Sequence, residues 1–343
     1  MTKARIDAKF AALKTEGRAA FIAYVMAGDP SADATFDILR GLPAVGADLI
    51  ELGFPFSDPM AEGLPIQHAA QRALVGGMTL RKTLDLVRAF RNPLIPADAG
   101  TQHFAESAAG GAENLGPRVR GDERDEEEIL VRHHEPFLKS HAEPVLSKDR
   151  QSPAQPWTGD TTTPVILMGY LNNVLSYGYD AFARDAADAG VDGLIVVDCP
   201  PEEADPLVDA LDVHGVALIR LATPTSDDAR LKVIARRTSG FVYYVSIAGV
   251  TGAGEADEVS VAPAVARVRA ASGLPVAVGF GIKTPERAAA IARIADAAVV
   301  GSALVDEGAQ AVAANEDPAP RVLAKAKALA EAVRCARAPL KVD

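Results

Sequence analysis

The stretch Pro275-Val276-Ala277-Val278-Gly279-Phe280-Gly281-Ile282-Lys283-Thr284-Pro285-Glu286 decides the fold. Its first half, Pro275–Phe280, is a continuous apolar run. It is too short for a buried helix and lacks the alternation of a half-exposed strand, so it reads as a strand covered on both faces. Gly279 and Gly281 mark its end. Thr284-Pro285-Glu286 then opens a helix with a capping hydroxyl, a proline in the first turn and an acid near the positive end. Strand, glycine turn and capped helix make one βα unit.

The unit recurs in both directions. Comparable apolar runs lie at Phe21–Met26, Asp48–Gly53, Pro164–Gly169, Gly193–Asp198, Val216–Leu221, Phe241–Ser246 and Ala297–Gly301. Helical patterns separate them at Ser31–Val45, Leu80–Arg91, Ser176–Ala189, Pro201–His214, Ser226–Arg236, Val259–Ala271 and Thr284–Ile294. Eight strand–helix units imply a parallel sheet, and eight is the number that closes a barrel. An open doubly wound sheet is the alternative. Its Gly-x-Gly-x-x-Gly fingerprint is missing after the first strand, where Met26 runs into Ala27-Gly28-Asp29-Pro30. The expectation is a (β/α)₈ TIM barrel with an extra N-terminal helix at Thr2–Lys14 and a closing helix at Arg321–Ala336.

Asn92–Asp160 fits neither period. It carries seven prolines, the single tryptophan, four of the six histidines, and thirteen acids against seven bases. Residues 1–343 are therefore read as one barrel domain carrying an insertion of about 70 residues at 92–160, between the second helix and third strand. The insertion is expected to be disordered, or loosely helical near Glu126–Lys139. It joins a helix to a strand, which places it at the bottom face, away from the strand-to-helix loops where barrels build active sites. His133, His134 and His141 read as loop residues rather than a metal site.

The net charge of −11 has both signs scattered along the chain, which argues against binding nucleic acid through a basic surface. Cys199 and Cys335 form neither a metal motif nor a disulfide framework. No signal peptide or run of about 18 uncharged apolar residues is seen, so a cytoplasmic location is expected.

The chemistry should sit at the strand C-termini. Strand 2 delivers Glu51-Leu52-Gly53-Phe54-Pro55-Phe56-Ser57-Asp58-Pro59-Met60-Ala61-Glu62-Gly63. A carboxylate inside an apolar strand is costly without a task or a partner. Glu51 is either a proton-transfer group with a raised pKa or one half of a buried ion pair. Gly279-Phe280-Gly281-Ile282-Lys283 after strand 7 and Gly301-Ser302 after strand 8 read as a phosphate cradle, with ordinary tight turns as the alternative. Gly249-Val250-Thr251-Gly252 after strand 6 reads as a closing lid or a surface turn. None of the eight runs contains the lysine of a Schiff-base aldolase, and no metal-ligand spacing appears at the strand ends. Cofactor-free acid–base chemistry on a phosphorylated substrate is left.

These residues resemble the tryptophan synthase alpha subunit family. The resemblance rests on Glu51–Pro59 and Gly249–Gly252, with Gly28-Asp29-Pro30, Leu167–Asn172, Asp198–Glu203, Gly279–Ile282 and Gly301-Ser302 in support. It spans Met1–Arg91 and about Thr162–Leu340. It implies a lyase that cleaves indole-3-glycerol phosphate in tryptophan biosynthesis, with Glu51 as the general acid–base. Glu62 stands where the family usually has aspartate, as the second catalytic carboxylate. Tyr24, Tyr170, Tyr243 and Phe280 would wall the indole pocket. Gly252, Gly281, Gly301 and Ser302 would hold phosphate, and Thr251 would belong to the lid. Pro55 and Asp58 would contact a β subunit in an αββα complex. Pyridoxal phosphate would sit in that partner, with no cofactor or metal in this chain. The competing readings are another phosphate-binding barrel, such as a phosphosugar isomerase, and a non-catalytic subunit that only activates the partner.

Overall fold

The computed structural model describes residues 3–92, 157–246, 258–279 and 281–337; of residues 258–260 it describes the backbone alone. Eight parallel strands, paired in chain order, close into a barrel. They are β1 (Ala20–Met26), β2 (Leu49–Gly53), β3 (Val165–Gly169), β4 (Gly193–Val196), β5 (Ala217–Ala222), β6 (Val242–Val245), β7 (Val276–Gly279) and β8 (Ala297–Val300). Each lies inside an apolar run read from the sequence or within one residue of it. Nearly every strand residue is buried, which is why the runs are continuous rather than alternating.

The helices are α1 (Lys3–Glu16), α2 (Ala32–Gly41), α3 (Leu64–Val75), α4 (Leu80–Arg91), α5 (Leu171–Tyr177), α6 (Tyr179–Ala189), α7 (Asp205–His214), α8 (Asp228–Ala235), α9 (Glu258–Ser272), α10 (Pro285–Ile294), α11 (Ser302–Ala313) and α12 (Pro318–Cys335). Three of them, α3, α5 and α11, extend the sequence reading. Two helices, α3 and α4, follow β2 rather than one. Helix α2 stops four residues short of Val45, just ahead of Pro43, which cannot supply the backbone donor the next turn needs. Helix α7 starts at Asp205 rather than Pro201, with Pro206 in its first turn. Among the described residues no helix is long and apolar enough to cross a membrane.

One joint recurs around the bottom of the barrel. A side chain ahead of each even-numbered strand, directly before β2, β4 and β8 and three residues before β6, accepts a backbone N–H from the preceding odd-numbered strand. Asp48 Oδ2 accepts from Phe21 at 2.9 Å, and Asp192 Oδ2 from Val165 at 2.8 Å. Ser239 Oγ accepts from Leu218 at 3.2 Å, and Asp296 Oδ2 from Val276 at 2.8 Å. The three aspartates also bind arginines. Arg18 grips Asp48 with both terminal nitrogens at 2.8 Å. Arg269 reaches Asp296 at 2.9 Å. Fully buried Asp192 takes Arg5 at 2.7 Å and Arg91 at 2.8 Å. Burying a carboxylate requires this kind of compensation.

The sequence limits 92–160 for the insertion contract at the far end. The Trp157 ring stacks on Phe90, with centroids 5.7 Å apart, and its indole N–H donates to the Phe90 carbonyl at 3.1 Å. The Asp160 N–H donates to that same carbonyl at 3.0 Å, and Arg91 donates to the carbonyls of Asp160 and Thr163. Residues 157–160 are thus part of the barrel floor. The chain divides into one unit of Met1–Pro96 with Trp157–Asp343 and a second of Ala97–Pro156. The second unit, with the helical stretch expected at Glu126–Lys139 and the three histidines, lies outside the described residues.

Candidate active site

Glu51 lies mid-strand on β2, in register with Tyr24 of β1 and Ile166 of β3. Its side chain is 1 % exposed, and neither carboxyl oxygen has a hydrogen-bond partner. Among the described residues Glu51 therefore forms no buried ion pair, the alternative left open by the sequence. Burial raises its pKa from 4.5 to about 8, with help from the charge of Glu62. Glu51 thus carries a proton at neutral pH and can lose it near that range.

Two tyrosines stand close to this carboxyl. Burial raises the hydroxyl pKa values of Tyr24 and Tyr243, and the charge of Glu51 adds to the rise in both. Glycine at two strand ends makes room for the rings. A Cβ on Gly53 would collide with the Tyr24 hydroxyl, and a Cβ on Gly279 with the Tyr243 hydroxyl. Gly301 backs the Tyr24 ring, and a Cβ there would come within 3.2 Å of Cδ1.

Glu62 lies in the loop between β2 and α3. The Tyr170 hydroxyl, from the end of β3, donates to Glu62 Oε2 and accepts the Ala61 N–H at 2.8 Å. Its ring stacks on Phe56 with centroids 4.7 Å apart. Gln67 of α3 donates to the carbonyls of Glu62 (2.8 Å) and Pro59 (3.1 Å). Burial raises the Glu62 pKa, and the Tyr170 hydrogen bond works against that rise.

At the ends of neighbouring strands β7 and β8, Gly281 has a left-handed backbone (φ +73°) and Gly301 precedes the first turn of α11, which Ser302 begins. Phe280, Thr251 and Gly252 lie outside the described residues. Asp58 is exposed, with Ser57 Oγ donating to it at 2.8 Å. Pro55 is buried, and Asn173 donates to its carbonyl at 3.4 Å. Among the described residues no cluster of three or more His, Cys, Asp or Glu could hold a metal ion.

Sequence reasoning missed one brace. Arg72 of α3 grips Asp29, in the loop after β1, at 2.7 and 2.9 Å. The pair ties that loop to the helix that follows Glu62. The only hint is an acid between Gly28 and Pro30.

A family model described as tryptophan synthase alpha chain matches residues 10–97 and 154–334. The chain belongs to the tryptophan synthase alpha chain family. The family match skips residues 98–153, inside the stretch read as an insertion. The chain is 59 % identical to the tryptophan synthase alpha chain of Phenylobacterium zucineum, with 98 % of each chain covered. It is 56 % identical to that of Caulobacter vibrioides, over 99 % of this chain and all of the relative. Among solved structures it is similar to tryptophan synthase subunit alpha from Legionella pneumophila. That match has a TM-score of 0.71 and 34 % identity, and covers 97 % of this chain and 98 % of that one. A structure of Mycobacterium tuberculosis tryptophan synthase matches with a TM-score of 0.69 at 32 % identity, covering 96 % and 98 %. As a member of the tryptophan synthase alpha chain family, the chain is not read as a phosphosugar isomerase.

Proposed function

We propose that the chain cleaves indole-3-glycerol phosphate to indole and glyceraldehyde 3-phosphate, as the alpha subunit of a tryptophan synthase. The observation that carries this reading is the buried, unpartnered Glu51 carboxyl in the middle of β2, near Tyr24 and Tyr243. A carboxyl poised near neutrality can both give and take a proton. Glu51 delivers its proton to the indole ring carbon that bears the glycerol chain. It then takes the proton of the neighbouring glycerol hydroxyl as the carbon–carbon bond breaks, so no net proton is consumed. Glu62 faces the indole N–H and offsets the positive charge that ring protonation creates. The two carboxyl groups hold different roles because their environments differ: Glu51 has no hydrogen-bond partner and Glu62 has Tyr170.

Tyr24, Tyr243 and Phe280 wall the indole pocket, and Thr251 belongs to a lid. Gly252, Gly281, Gly301 and Ser302 hold the phosphate on backbone N–H groups, with the positive end of α11 behind them. No cofactor is needed in this chain; pyridoxal phosphate serves the partner β subunit, to which indole passes in an αββα complex in the cytoplasm. Asp58, with the exposed apolar residues Met60 and Leu64 in the same loop and helix start, forms the partner-facing surface.

Indole release from indole-3-glycerol phosphate, measured with and without a β subunit, tests the proposal. Cleavage that rises with the partner and disappears in Glu51→Gln is expected. A folded protein that activates the partner yet releases no indole would make it a non-catalytic subunit.

A further inference from the structure

We infer that Tyr170 is the positioning residue for Glu62 rather than a wall of the substrate pocket: its phenol fixes the carboxylate arm and the loop that carries it. The inference rests on the lyase reading above for its kinetic consequence and on geometry alone for the contact. Tyr170 directly follows β3 and precedes α5, and Glu62 sits 108 residues earlier in the chain. The hydroxyl is used in both directions, donating to Glu62 Oε2 and accepting the Ala61 N–H at 2.8 Å. One ring face is covered by Phe56, from the same loop. Three points of that loop (residues 56, 61 and 62) are thus held by a single side chain.

The length of the Glu62 arm makes the tether matter. Glutamate has one more rotatable bond than aspartate, and an unrestrained arm spreads its carboxylate over several rotamers. A displacement of about 1 Å in a reacting group can lower a rate about 10²-fold. The Tyr170 hydroxyl selects one position for this arm, and Gln67 holds the backbone behind it at 2.8 Å.

The test is Tyr170→Phe in the full chain, assayed with a β subunit, beside Glu62→Gln and the double variant. Phenylalanine keeps the ring and its stack and removes only the hydroxyl. We expect kcat to fall about tenfold with KM within about twofold, and the double variant to be no slower than Glu62→Gln alone. A titration of the ¹³C-labelled glutamate carboxyls gives a readout that does not depend on turnover. The Glu62 carboxyl should titrate higher in Tyr170→Phe, because a donor to its charged form is gone. Unchanged kcat together with unchanged Glu62 titration overturns the inference, as does a change confined to KM. If the parent protein releases no indole, the lyase reading falls, and the carboxyl titration alone decides whether Tyr170 holds Glu62.

Discussion

Tyr24 and Glu51 are register partners on β1 and β2, yet neither Glu51 oxygen accepts a hydrogen bond. The carboxyl therefore lies among buried groups with nothing to stabilise its charge. Folding holds a proton on Glu51 that the unfolded chain releases near pH 4.5, and the folded protein releases it only near pH 8. Between those values the native state binds more protons than the unfolded state, so stability falls as pH rises and levels off above about 8. Glu51→Gln removes this dependence. Thermal unfolding of the two proteins should nearly coincide at pH 5, with the variant ahead by several degrees at pH 8.5. A constant difference across that range would mean that Glu51 is not protonated in the folded state. In the lyase assay, kcat/KM should fall above pH about 8 as the acid form of Glu51 is lost.

Glu62 tests how far the longer arm is built into this site. Tyr170 meets the carboxylate of a glutamate, and aspartate would fall one methylene short of it. Glu62→Asp is expected to lower kcat about tenfold, and Glu62→Gln about 10²-fold or more. Steady-state indole release checks both. A Glu62→Asp variant faster than the parent would show that the site prefers the shorter residue.

Asp192 should be the most costly of the barrel-floor acids to remove. It is fully buried and takes Arg5, Arg91 and the Val165 N–H. Asp192→Ala strands two guanidinium groups and should cost about 3–5 kcal/mol in urea unfolding. Asp296→Ala, in a pair 30 % exposed on the acid side, should cost about 1 kcal/mol. Equal losses at the two positions would mean that burial does not set their value.

Gly279 lies where the Tyr243 hydroxyl crosses the end of β7. Gly279→Ala forces that ring aside. The expected result is a folded protein with about tenfold higher KM for indole-3-glycerol phosphate, as overpacking displaces the pocket wall. A KM equal to that of the parent would show that Tyr243 does not line the pocket.

The strands were legible because a barrel strand is covered on both faces, so its sequence is a plain apolar run. Glu51 was legible for the same reason, as a charge where none is cheap. Helix α3 was obscured by Pro65, which sits in its first turn rather than breaking it. Helix α5 has only seven residues, and α11 is rich in small residues, with Gly308 buried in its middle. The Tyr170 tether, the Asp29–Arg72 brace and the Arg91–Asp192 pair join residues 43–108 positions apart. No periodicity carries such contacts. Tyr170 reads as an aromatic wall from sequence because its hydroxyl partner is set only by the closed barrel.

Removing residues 97–156 and joining the ends with a short glycine–serine bridge should leave a folded barrel with lyase activity within about twofold of the parent. Phe90 and Trp157 are already stacked, and Asp160 is bonded to Phe90. Circular dichroism and indole release check this, and an insoluble product would give the removed segment a structural part.

The Phe90–Trp157 stack also marks where the chain could be severed. A fragment ending at Pro96 would carry β1 and β2, with Glu51 and Glu62. A fragment beginning at Trp157 would carry the other six strands, with Tyr170 and Tyr243. Each half lacks something the chemistry needs, and the ring stack, the floor arginine Arg91 and two strand seams would guide the pieces together. Such a pair would be a split reporter, silent as separate polypeptides and releasing indole only once reassembled.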